Sequence, residues 1–133
     1  MACGRSMRLL AVGLASALVA CSSPREVAVS GRVTAPSGLA VGDGLVIDFI
    51  DVVGEGKNAE RTVAGSAALS GLGDFRANVR LEGDQVLVRA IDDRDGDGKC
   101  SPGEAWGETH APIEADEATD VALWLGTKAC PAQ

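Results

Sequence analysis

Gln85-Val86-Leu87-Val88-Arg89-Ala90-Ile91 runs without a break into Asp92-Asp93-Arg94-Asp95-Gly96-Asp97-Gly98-Lys99-Cys100-Ser101-Pro102-Gly103-Glu104. The join between these two halves decides the fold. From Asp93 to Glu104 the second half fits the twelve-position calcium loop D-x-[DN]-x-[DN]-G-x5-E at every required place. Ca2+ takes about six to eight hard oxygen ligands, and this spacing supplies most of them from one turn. The pattern assigns carboxylate ligands to Asp93, Asp95 and Asp97, and an inward backbone carbonyl to Lys99. Ser101 reaches the ion directly or through a water, Glu104 closes the shell with both oxygens, and Gly98 makes the sharp bend. Four crowded aspartates, Asp92, Asp93, Asp95 and Asp97, repel one another unless a cation joins them. The first half fixes the scaffold. An EF-hand sets its loop between two helices. Here Val86, Val88 and Ala90 alternate with Leu87, Arg89 and Ile91, which is the period of a strand. Pro102-Gly103, just ahead of Glu104, disfavours an exiting helix. The expectation is an EF-hand-type loop that follows a strand.

Working outward, the same alternation recurs. Val27, Val29 and Val33 alternate with Ala28, Ser30 and Arg32, with Gly31 marking a bulge or a close approach. Leu45, Ile47 and Phe49 fall on one face, and Val46, Asp48 and Ile50 on the other. Phe75, Ala77, Val79 and Leu81 alternate with Arg76, Asn78 and Arg80, and Val121, Leu123 and Leu125 leave Trp124 opposite. Arg61 to Leu69 is a weaker candidate strand. Gly, Pro and Asp clusters separate these runs, and no amphipathic helix is evident. Ala111 to Asp120 contains helix formers, but Pro112 and its brevity make it a loop. Short alternating strands at regular spacing predict a single antiparallel β-sandwich, immunoglobulin- or transthyretin-like, over residues 27–133.

The N-terminus reads differently. Met7-Arg8 and the apolar run Leu9 to Ala20 have the build of a secretory signal. A membrane-spanning helix needs about 20 apolar residues, more than this run offers. The run ends in Leu18-Val19-Ala20-Cys21, which resembles the lipobox of bacterial lipoproteins. That resemblance implies removal of residues 1–20, lipidation of Cys21, and a short tether over residues 21–26. Ser22 after the lipid-bearing Cys is similar to the pattern that sends enterobacterial lipoproteins to the outer membrane. The implied location is the bacterial cell envelope, on its periplasmic or surface face.

Charge and cysteine count follow from that cut. Removal of 20 residues from 133 leaves 113, enough for one small domain. Loss of Arg5 and Arg8 from 12 basic residues leaves 10 against 19 acidic ones, a net charge of −9. So acidic a surface argues against nucleic acid and anionic head groups as direct partners. Of the four cysteines, Cys3 leaves with the signal and Cys21 carries lipid. Cys100 and Cys130 remain, and a lone pair in an exported domain reads as a disulfide. Two thiols with one distant histidine, His110, lack the usual spacing of a zinc site.

The segment from Arg89 through the acidic run to Pro102-Gly103-Glu104 resembles calcium-bearing β-sandwich modules of bacterial surface proteins. These include B-type repeats of staphylococcal adhesins and transthyretin-like, carboxypeptidase-regulatory-like domains. The resemblance implies a structural Ca2+ in a monomeric, non-catalytic domain with an envelope or protein-interaction role. A second reading is a carbohydrate- or peptide-binding module built on the calcium loop and Trp106. Tryptophans in such a chain are more often core residues, and Trp106 and Trp124 are expected to be core. A hydrolase using metal-activated water stands well behind, since no base is evident and Ca2+ acidifies bound water weakly. Glu104 and Glu108 are not expected to form a catalytic pair, because Glu104 belongs to the ion. Arg76, Arg80 and Arg89 read as a solvated face paired with neighbouring acids.

Overall fold

The computed structural model describes residues 23–131. The expected signal, residues 1–20, and the lipid-bearing Cys21 lie outside the described residues. Seven strands follow one another: β1 (Arg25–Thr34), β2 (Leu45–Val53), β3 (Glu60–Leu69), β4 (Gly73–Leu81), β5 (Gln85–Asp92), β6 (Trp106–Pro112) and β7 (Glu117–Trp124). Among the described residues the one helical piece is a 3-10 turn at Gly56–Asn58. The strands form two sheets, ordered β4-β1-β7 and β3-β2-β5-β6.

Alternation along the strands creates the core. Val27, Val29 and Val33 of β1, Phe75, Val79 and Leu81 of β4, and Val121 and Leu123 of β7 face inward from the first sheet. Leu45, Ile47 and Phe49 of β2 and Val86, Val88 and Ala90 of β5 meet them from the second. The rings of Phe49 and Phe75 cross between the layers, 6.1 Å apart and tilted by 50°, a favourable offset for two aromatic quadrupoles. This is the expected all-β sandwich. All seven strands and this core lie between Arg25 and Leu125, so the chain from Ser22 onward holds the whole fold.

Three details differ from the sequence reading. The sandwich starts at Arg25, so the last two residues of the expected tether already belong to β1. The loop expected over Ala111 to Asp120 is mostly strand: β6 (Trp106–Pro112), which the sequence reading did not assign, runs into its start, and β7 takes up its end from Glu117. Pro112 is tolerated because it ends a strand at a sheet edge, where the ladder needs no donor from it. Finally, β1 pairs with β7 in parallel, whereas every other ladder is antiparallel. An immunoglobulin constant-type domain groups strands one, two, five and four in one sheet. Here strands four, one and seven share a sheet, so the connectivity is not of that type. The bulge foreseen at Gly31 is present: the β1–β7 register shifts between Val29 and Gly31, and a Cβ at Gly31 would overlap the Val121 carbonyl.

Candidate metal centre

β5 delivers the acidic loop at the end of the sandwich, and backbone bonds anchor both of its ends. The Asp92 N–H donates to the Ala105 carbonyl at 2.8 Å, and the Asp93 N–H to the Gly44 carbonyl at 3.1 Å. The Asp92 side chain is only 1% exposed. Its carboxylate accepts from the Gly42 N–H at 3.2 Å and from Arg94 Nε at 3.1 Å. Arg94 reaches on with Nη2 to the Ala40 carbonyl at 2.7 Å. Asp92, which the calcium pattern leaves out, thereby clamps the β1–β2 connection to the loop. Its place next to the ligand run was the available signal; of its side-chain partners Arg94 is two positions away and Gly42 fifty.

Inside the loop the three patterned aspartates converge. Carboxylate oxygens of Asp93, Asp95 and Asp97 all lie within 4.8 Å of one another. Short-range bonds hold them there. Asp93 accepts from the Gly96 and Gly98 N–H groups at 3.1 and 2.8 Å. Asp95 accepts from the Asp97 N–H at 3.2 Å, and Asp97 from the Lys99 N–H at 2.8 Å. Ser101 Oγ donates to Asp95 Oδ2 at 2.9 Å, which brings the fifth patterned residue to the same cluster. Gly98 sits at φ +76°, the left-handed backbone that the bend requires.

Glu104 is placed differently from a side chain that only awaits an ion. It is 5% exposed. Its Oε2 accepts from the Arg94 N–H at 2.8 Å and the Asp95 N–H at 3.3 Å, and its Oε1 from the Ser101 N–H at 2.8 Å. It therefore braces the loop from within. With about two acceptor sites per oxygen, two of these bonds fill Oε2 and the third leaves one site on Oε1. The donor set is all hard oxygen with several negative charges, which is the chemistry Ca2+ or Mg2+ prefers.

The titration of two members records the crowding. The Ser101 hydroxyl, then the Asp97 N–H, hold the Asp95 carboxyl below its ordinary value. At Asp93 the Gly98 N–H pulls downward. Partial loss of water, together with Asp95, Glu104 and Asp97, outweighs that bond and leaves the carboxyl above its ordinary value.

The expected disulfide is formed: Cys100 and Cys130 are joined with Cα atoms 5.7 Å apart. It fastens the C-terminal segment across the outer face of β5 and β6. Trp106 fills the resulting pocket with Ile91, Cys100 and Cys130, 5% exposed. Its indole N–H donates to the Lys128 and Ala129 carbonyls, both at 3.1 Å, and Lys128 Nζ sits 4.9 Å from the ring centroid. The Trp106 ring is thus core, as expected, and its faces are covered. Trp124 is not core: it points outward from β7 and is 62% exposed. Glu108 pairs with Arg89 at 2.7 Å on the neighbouring strand, so it and Glu104 serve separate structural ends. Arg80 reaches the Pro24 carbonyl rather than an acid. His110 lies exposed on β6, across from Leu87.

No family model matches this chain, and neither a curated protein nor a solved structure is significantly similar to it. The functional reading rests on the residues themselves.

Proposed function

We propose that this chain is an exported, lipid-anchored β-sandwich in which the 93–104 loop binds one structural Ca2+. Its role is non-catalytic, in envelope structure or protein interaction. The observation that carries the metal reading is the convergence of the Asp93, Asp95 and Asp97 carboxylates within 4.8 Å, at the spacing of the calcium pattern. Asp93, Asp95, Asp97, the Lys99 carbonyl, Ser101 and Glu104 are the assigned ligands. Extracellular modules bind calcium at Kd values of about 10⁻⁴–10⁻³ M, so even a weak site is filled outside the cell. The ion then acts as a staple beside the Cys100–Cys130 disulfide rather than as a sensor.

The anchor reading rests on Leu18-Val19-Ala20-Cys21 and on the apolar run before it. One acyl chain holds a protein only marginally at a bilayer, whereas two or three anchor it stably. Its test is metabolic labelling with a palmitate analogue in a bacterial host, read beside membrane fractionation. The wild-type chain should take up label and sediment with membranes, and Cys21→Ser should do neither. Labelled Cys21→Ser protein, or unlabelled wild type in the soluble fraction, would sink the anchor. The reading that used Trp106 as a ligand platform is weakened by the burial of that ring.

A further inference from the structure

The outer face of the β4-β1-β7 sheet carries an open groove of about 680 Å3, with no residue of the 93–104 loop in its lining. Its origin is a local break in the sheet. The β1–β7 register shifts at Gly31, and Asp120 is held at φ +58°, a conformation uncommon for a residue with a side chain. The Val121 backbone closes over Gly31 where a Cβ would otherwise sit.

Three polar side chains line this groove without a bonding partner among the described residues: Arg76 on β4, Ser30 on β1 and Asp120 on β7. Ser30 stands directly opposite Arg76 in the β1–β4 register. Asp120 lies in the bulge on the other side of β1. With strands about 4.8 Å apart, a guanidinium, a hydroxyl and a carboxylate form one row about 10 Å long. Beside it runs the Arg32–Asp74 ion pair, closed at 2.8 Å, and then Ala122. Two residues further along β7 stands Trp124, opposite Thr34. Phe49, Phe75 and Trp106 are all buried, so among the described residues Trp124 is the one Phe or Trp ring presented to solvent.

We propose that this face binds an uncharged oligosaccharide, with one sugar ring stacked on Trp124 and the hydroxyls of sugars about 13 Å further along bonded to the row Arg76, Ser30 and Asp120. The lining selects the class of ligand. Two guanidiniums, of Arg32 and Arg76, face two carboxylates, of Asp74 and Asp120. An anion meets the carboxylates and a cation meets the guanidiniums. A sugar hydroxyl both donates and accepts, so a polyol satisfies both kinds of group at once. The C–H face of a pyranose is apolar and positively polarised, which suits the π face of an indole. A protein partner anchored on Trp124 would want a broad apolar surround, yet Thr34 stands opposite the ring and the Arg32–Asp74 ion pair is the next outward step along the sheet.

Trp124 emission should shift on occupancy, over a steady background from buried Trp106. The chain from Ser22 onward would be screened on an array of neutral hexose and N-acetylhexosamine oligosaccharides, α- and β-linked. The soluble hits would then be titrated by calorimetry against wild type and each variant, with tryptophan emission read beside it for the chains that keep Trp124. The expected result is a saturable blue shift, with affinity at least about tenfold weaker in Trp124→Ala. Arg76→Ala and Asp120→Asn should also weaken it, and none of the three should alter the calcium response. Binding that survives Trp124→Ala at full affinity would overturn the proposal. So would a wild-type protein that captures no neutral glycan on the array, whether or not it captures a protein instead.

Discussion

At the scale of single residues, the loop divides its carboxylates between two jobs. Asp95 is exposed and bonded only within the loop, so its main call on stability comes through the ion. Glu104 is buried and accepts three backbone N–H groups with or without metal. Asp95→Ala should therefore lower the melting temperature in millimolar Ca2+ and change it little in chelator. Glu104→Ala should lower it in both, because the orphaned donors each cost about 1–3 kcal/mol. Equal losses for Asp95→Ala in the two conditions would mean that its carboxylate acts without an ion. Acid should separate the aspartates further in chelator. Asp95, held below the ordinary value of 3.8, contributes stability that is present above that value and lost as pH falls through its folded-state pKa. Asp93, held above 3.8, binds its proton more tightly when folded, so its contribution is present at low pH and lost as pH rises through the folded value. Melts recorded down to about pH 3 should show a shallower acid loss for Asp95→Asn than for wild type, and a steeper one for Asp93→Asn. At the far end of β5, Asp51 accepts from the Glu82 and Gly83 N–H groups, both at 2.9 Å. Asp51→Ala should cost about 2–3 kcal/mol by denaturant melting and leave the calcium response intact.

At the scale of elements, the disulfide and the acidic loop form one unit. Cys100 lies within the calcium pattern, and its bond to Cys130 closes a loop with a sequence separation of 30. Such a closure is worth about 3–4 kcal/mol in the chain-entropy account. Reduction, or paired Cys100→Ser and Cys130→Ser, should lower stability by that order and shift Trp106 emission toward that of a wetter ring. An unchanged emission would mean that the C-terminal segment holds Trp106 without the bond. The strands show why some elements were legible and others not. β1 and β4 bury one face, β2 and β5 also bury Ile50, Val52 and Leu87 on the other, and the period of two remains visible in all four as Val, Leu, Ile and Phe at alternate places. β6 reads Trp-Gly-Glu-Thr-His-Ala-Pro, poor in strand formers, and is a strand because β5 offers it a ladder. Pairing with a segment about twenty residues away leaves no mark on local periodicity. The outward turn of Trp124 was legible in the alternation Val121, Leu123, Leu125, yet the general preference of tryptophan for the core pointed the other way. The clamp by Asp92 and the inward role of Glu104 depend on partners brought together by folding.

At the scale of the molecule, the two ends of the proposal meet in one design. A small domain of this size buries a modest core, so the covalent tie, and the ion proposed beside it at the same end of the sandwich, are effective supplements. The acidic net charge favours solubility and the approach of cations over anions. The groove beside Gly31 lies on the other sheet, free of the loop, so a staple and a recognition face are not in competition. Mass action sets the scale: Ca2+ at 100 times its Kd stabilises a fold that binds it by about 2.7 kcal/mol. The most direct test is calorimetric titration of the chain from Ser22 onward with Ca2+, read beside its thermal melt. The account predicts saturable binding of one ion per chain, a raised melting temperature, and loss of both in Asp95→Ala. Absence of saturable heat and of any thermal shift at several millimolar Ca2+ would contradict it, and would reduce residues 93–104 to an acidic turn braced by Glu104.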